Sequence, residues 1–107
     1  MSHTILTIEA EAAIRKSFVS FLEDYEYQTL EAEDGAEGIE VIKTARPDLV
    51  LADLRMPNVD GLQVLDYVGV HHPEIPVIVV SGTGNINDVI EALHLGAWDY
   101  ILKPVED

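Results

Sequence analysis

Four short apolar runs each lead into a residue that can do chemistry. Ile5-Leu6-Thr7-Ile8 runs into Glu9, Leu49 to Ala52 into Asp53, Val77 to Val80 into Ser81, and Tyr100-Ile101-Leu102 into Lys103. A carboxylate can act as a nucleophile or hold a cation, a hydroxyl can donate a hydrogen bond, and an amine supplies a positive charge. A single acid at a strand exit is ordinarily a helix cap or a loop hydrogen-bonder. Two acids, a hydroxyl and an amine from four distant segments argue instead for one shared site, provided the fold brings the four exits to one rim.

The elements between these runs supply that condition. Runs as apolar as Leu49 to Ala52 read as strands buried on both faces, and the Pro57-Asn58 and Asp60-Gly61 pairs beyond Asp53 read as loop. Ile14, Phe18, Phe21, Leu22 and Tyr25 recur at helical spacing. Gln28 to Ala32 alternates like a half-exposed edge strand, and Asp34-Gly35 opens a short helix through Ile39 and Ile42 that ends at Arg46-Pro47. Leu62, Leu65 and Val68 mark a third helix, and Ile86, Val89, Ile90 and Leu93 a fourth, closed by Gly96. Five strands alternating with four helices over short linkers mean repeated βαβ units and an α/β, doubly wound parallel sheet. In such sheets function sits at the carboxyl ends of the strands, near the switch in strand order.

Composition narrows the classes. At 107 residues the chain is expected to form a single domain over residues 1–107. A net charge of −14 with only six Lys and Arg argues against direct nucleic-acid binding, which needs a basic footprint. The chain has no cysteine, so disulfides and thiolate chemistry are out. No apolar run approaches the ~20 residues of a membrane span, and the N-terminus lacks a signal-peptide pattern, so no membrane association and a cytoplasmic location are expected. The chain stops at "KPVED" before any fifth helix, although a doubly wound sheet needs helices over both faces. The expectation is an N-terminal fragment of a longer protein, with apolar surface exposed beside the first helix and a homodimer as one outcome.

The segments "ILTIEAE", "EDGAEGIE", "PDLVLADLRMPNVDG", "PVIVVSG" and "GAWDYILKP" together resemble the response-regulator receiver domain of two-component signalling. The resemblance implies a five-stranded sheet in the flavodoxin-like order 2-1-3-4-5, with the fifth helix absent from this chain. It implies that Asp53 accepts a phosphoryl group from a histidine kinase or phosphotransfer protein, and that the change regulates an output domain in the same or another chain. It implies a Mg²⁺ ion held by Glu9, Asp53 and the backbone carbonyl of Arg55. Lys103 would pair with a phosphoryl oxygen, Ser81 would move towards the phosphate and Tyr100 would follow it inward, while Pro104 would orient Lys103. Such a protein is a phosphoacceptor, not an enzyme beyond its own phosphorylation and dephosphorylation.

One position departs from the family. Two adjacent acids normally follow the first strand, and the second is the direct metal ligand; here the pair is Glu9-Ala10. Glu11 is the further candidate ligand, although an acid there also suits the positive end of the first helix. Ala10 therefore puts the Mg²⁺ affinity in doubt. It also supports a second reading, a pseudo-receiver that binds partners with impaired phosphorylation. A third, an aspartyl-nucleophile phosphatase of the haloacid-dehalogenase type, would want a second acid two residues past the nucleophile, where Arg55 stands. "SGTG" (81–84) lacks the lysine and spacing of a P-loop. His71-His72 reads as solvated loop rather than a metal site, and Trp98 reads equally well as partner-facing or as edge packing.

Overall fold

The computed structural model describes residues 3–56, 58–82 and 86–102. Lys103 and Pro104, and the Thr83-Gly84 part of the turn after the fourth strand, lie outside the described residues. Five strands, β1 (Thr4–Ile8), β2 (Gln28–Ala32), β3 (Leu49–Asp53), β4 (Val77–Ser81) and β5 (Asp99–Leu102), alternate with four helices. These are α1 (Ala12–Asp24), α2 (Gly35–Ala45), α3 (Gly61–His71) and α4 (Ile86–His94). All strands are parallel, in the order β2-β1-β3-β4-β5. The doubly wound architecture and strand order expected from the sequence are therefore present, with the half-exposed β2 at an edge.

Strand alternation divides the core into two sides. Leu6, Ile8, Val50, Ala52, Val77 and Val79 join residues of α2, α3 and α4 in one buried cluster. Ile5, Leu51 and Val80, of opposite parity, are buried outside that cluster, as is Val19 of α1. Side-chain caps start two of the helices, α2 at the Asp34-Gly35 signal read from the sequence and α3 at Asp60. Asp34 caps α2 by accepting from the Glu37 amide, and Asp60 and Gln63 form a reciprocal capping box at α3. At its other end α2 stops on Arg46, which takes the left-handed conformation (φ 48°).

Two helices present different faces from those their apolar spacing suggests. In α1 the buried residues are Arg15 and Val19, whereas Phe21 and Tyr25 lie 58% and 64% exposed with ring centroids 5.0 Å apart. In α4 only Ala92 is buried, and Ile86, Ile90 and Leu93 face outward. The physical reason in α4 is size: a small residue lets the helix approach the sheet closely, and the larger apolar stripe is left on the outside. His71 and His72 also differ from expectation. His71 ends α3 and stacks on Tyr67 at 4.4 Å, and the His72 side chain is mostly covered.

The loop from Asp53 to α3 is drawn tight by backbone bonds. The Leu54 amide donates to the Val80 carbonyl at 2.8 Å, and the Gly61 amide donates back to the Leu54 carbonyl at 3.0 Å. Gly61 has no room for a side chain, since a Cβ there would lie 2.8 Å from the Cα of Leu54 and against the Asp53 backbone. Gly61→Ala should therefore cost about 1–3 kcal/mol, as an overpacked core position does, and should shift the Asp53 amide. Urea unfolding with backbone NMR checks this; an alanine variant of native stability would show that the loop yields.

Candidate functional site

The site is assembled by register. Ile8, the last residue of β1, pairs with Ala52, so Glu9, the first residue beyond β1, follows at the level of Asp53, the last residue of β3. Both are buried, Glu9 at 2% and Asp53 at 6% exposure. Ser81, fully buried, ends β4 one step beyond the Asp53–Val80 pair. Three of the four strand exits singled out by the sequence thus meet on one rim, and the fourth, Lys103, lies outside the described residues.

Glu9 is held along its length. Its amide donates to the Ala32 carbonyl at 3.0 Å, and its carbonyl accepts from Nη1 of Arg15 at 2.7 Å. Its carboxylate Oε2 accepts from the Glu11 amide at 3.0 Å. Glu11 is the N-cap residue of α1 and is exposed, and its side chain makes no capping bond. The Glu9 carboxylate thus supplies the acceptor at this end of the helix. Ala10, between the two, is exposed and brings no oxygen to the rim.

Arg15 was not legible as a site residue, although Arg15, Val19 and Leu22 follow helical spacing and signal a charge on the inner stripe. It is 8% exposed, and its Nε also donates to Oε1 of Glu31 at 3.0 Å. Lys16 reaches both oxygens of the same carboxylate at 3.0 Å. Lys16, with Arg15 beside it, holds the Glu31 carboxyl below its ordinary value against the opposing push of partial burial.

On the other flank, Arg55 carries an exposed guanidinium that pairs with Oδ2 of Asp88 in the first turn of α4 at 2.9 Å. The ion pair links the loop beyond Asp53 to α4. Tyr100, level with Val79 and two positions below Ser81's partner Leu102, packs against the α2–α3–α4 cluster. Its hydroxyl is enclosed and has no hydrogen-bond partner among the described residues.

The donor set suits a hard cation. The two buried carboxylates offer only oxygen, and Mg²⁺ typically takes one or two protein carboxylates while keeping several waters. Among the described residues no three His, Cys, Asp or Glu side chains come together as a metal cluster. The site therefore fits an ion held partly by water and not one that needs a full protein cage.

The model of the response regulator receiver domain matches residues 5–107. The chain belongs to the response regulator receiver domain family. It is 38% identical over 106 residues to the nitrogen assimilation regulatory protein NtrX of Azorhizobium caulinodans, covering 97% of this chain and 23% of that protein. It is 36% identical over 103 residues to the Regulator of RpoS of Escherichia coli, covering 96% of this chain and 31% of that one. The chain thus spans less than a third of the length of these two relatives. Among solved structures it resembles the receiver domain of NtrX from Brucella abortus, at 36% identity and TM-score 0.89, covering 95% of this chain and 87% of that one. A CheY-like receiver domain protein from Methanospirillum hungatei superposes with TM-score 0.94 at 28% identity, covering 99% and 85% of the two chains. No helix among the described residues is long and apolar enough to cross a membrane.

The enclosed Tyr100 hydroxyl gives this receiver domain a measurable property. A buried polar group without a partner costs about 1–3 kcal/mol. Tyr100→Phe should consequently be neutral or stabilising by up to about 1 kcal/mol in urea unfolding. A clear loss of stability would mean that the hydroxyl is satisfied in solution.

Proposed function

We propose that this receiver domain is a phospho-accepting switch in which Asp53 is the acceptor. The observation that carries the reading is the placement of Glu9 and Asp53, two buried carboxylates level with each other at the carboxyl ends of β1 and β3. Receiver domains interact with histidine kinases and with output domains of response regulators, and use Mg²⁺ in phosphorylation. In the proposed step an Asp53 carboxylate oxygen attacks the phosphorus of a phosphohistidine. The P–O bond forms, the P–N bond breaks, and the departing imidazole nitrogen takes a proton from solvent. When bound, Mg²⁺ supplies positive charge between acceptor and incoming group. Glu9, Asp53 and the Arg55 carbonyl would hold it, with Glu11 as a further ligand.

The remaining roles belong to this chain's own groups. Ser81 donates its hydroxyl to a phosphoryl oxygen, and Lys103 pairs with another as a point charge. The dianion gained at Asp53 then biases the positions of Ser81 and Tyr100, and α4 and β5 present the change to an output domain in the same or another chain. A pseudo-receiver reading keeps one specific support, Ala10, which leaves the rim one carboxylate short of the family's usual pair.

Incubation with a small phosphodonor and Mg²⁺ should add one phosphate, seen by intact mass, and Asp53→Asn should abolish the addition. The amide keeps the shape and loses the nucleophile. Labelling that persists in Asp53→Asn would remove this residue from the reaction. No labelling of the native chain at any Mg²⁺ concentration would favour the pseudo-receiver.

Ala10→Asp should tighten Mg²⁺ binding roughly tenfold, about 1.4 kcal/mol, and speed labelling. It should also lower stability without metal, since another like charge joins the rim. Titration of Mg²⁺ followed by amide shifts compares the two forms. Equal affinities would mean that Glu9 or Glu11 already fills the missing ligand's place.

A further inference from the structure

We infer that Arg15 is a positioning residue for the acidic rim: it fixes the backbone of Glu9 where its carboxylate turns onto the Glu11 amide, and cation binding depends on that hold. The inference deepens the proposed function and rests on it for the identity of the cation. Arg15 lies in the first turns of α1, with its guanidinium turned inward towards the sheet. One arm donates to the Glu9 carbonyl at 2.7 Å in a buried bond. The other, through Nε, donates to Glu31 on β2 at 3.0 Å. A planar fork can serve two acceptors in fixed directions, which a single ammonium cannot. The Glu9 residue therefore has its amide tied to β2 through Ala32, its carbonyl tied to α1 through Arg15, and its carboxylate tied to the Glu11 amide.

This matters more here than in a rim with two adjacent acids. Position 10 is alanine, so Glu9 is the one acid between β1 and the N-cap residue of α1. A longer side chain than aspartate has an additional rotatable bond, and ordering it costs rotamer entropy. Fixing its backbone carbonyl and one carboxylate oxygen before a ligand arrives removes part of that cost. Groups that orient a metal ligand from behind commonly change affinity 10–100-fold when lost.

Glu31 provides the control. Glu31→Gln breaks the ion pairs of Arg15 and Lys16 with β2, but leaves the donation to the Glu9 carbonyl in place. Arg15→Gln removes both. A merely structural arginine would change stability while leaving Glu11 protection and Mg²⁺ affinity alike in the two variants. A positioning arginine separates them.

The experiment measures, in both variants and the native chain, thermal stability, Mg²⁺ affinity by amide shifts, and hydrogen-exchange protection of the Glu11 amide. The expected result is that Glu31→Gln loses stability but keeps Glu11 protection and binds Mg²⁺ within about twofold of the native chain. Arg15→Gln should lose Glu11 protection and bind Mg²⁺ about tenfold or more weakly. If Arg15→Gln does not fold, Arg15→Lys serves. It retains a charge for Glu31, and should show the same loss at Glu11 and in Mg²⁺ affinity. An Arg15 variant that folds with the Glu11 amide as protected as in the native chain overturns the inference, as does equal loss in the Glu31 variant. Should the native chain bind no Mg²⁺, the cation reading fails on its own account, and Glu11 protection still decides whether Arg15 positions Glu9.

Discussion

The parallel pairing of Ile8 with Ala52 is the constraint on which the rest of the site depends. It sets the next residues of β1 and β3 level, and so brings two carboxylates together at the end of a sheet whose interior holds almost nothing else that is charged. Like charges at that spacing resist being buried together. The surrounding structure answers with donors: the Glu11 amide on the Glu9 carboxylate and the Arg15 guanidinium on the Glu9 carbonyl. On the proposed function, this rim holds a cation beside Asp53 and takes up a phosphoryl group.

Around this rim the fold is unevenly anchored. The cluster under α2 and α3 is dense, with Ile42, Val64, Leu65 and Val68 all buried, whereas α4 buries Ala92 alone and turns its larger apolar residues outward. The Arg55–Asp88 ion pair links the loop after Asp53 to the first turn of that lightly held helix. Exposed pairs of this kind contribute little to stability, about 0.2–1 kcal/mol. On the proposed function, such a weak tie suits a helix that has to shift when Asp53 gains charge. Tyr100 is packed inward there, with its hydroxyl unpartnered among the described residues.

The strands and their chemistry were legible because a buried parallel strand has to be apolar throughout, which makes the first polar residue at its end conspicuous. Glu9, Asp53 and Ser81 were found in that way, and the order of the strands followed from the family resemblance. Helix faces were less legible. Phe21 and Tyr25 share the spacing of Phe18 and Leu22 yet lie on the surface, because helical periodicity alone does not say where a stripe's inner edge falls. Arg15 was missed because a charge is normally assigned to the solvent side, and only the three-dimensional placement of Glu9's carbonyl and Glu31 shows why it turns inward. The Arg55–Asp88 pair spans 33 residues, a separation at which sequence alone gives no pairing rule.

In the proposed switch, charge gained at Asp53 is sensed across one rim and carried into α4. Backbone NMR of the native chain with Mg²⁺, before and after addition of a small phosphodonor, measures it directly. Mg²⁺ alone should shift amides around Glu9, Asp53 and Arg55. The phosphodonor should then add shifts at Ser81, along α4 and at Tyr100 that reverse as the acyl phosphate hydrolyses. Shifts confined to the chain termini, or a phosphorylated Asp53 that leaves α4 unperturbed, would contradict it.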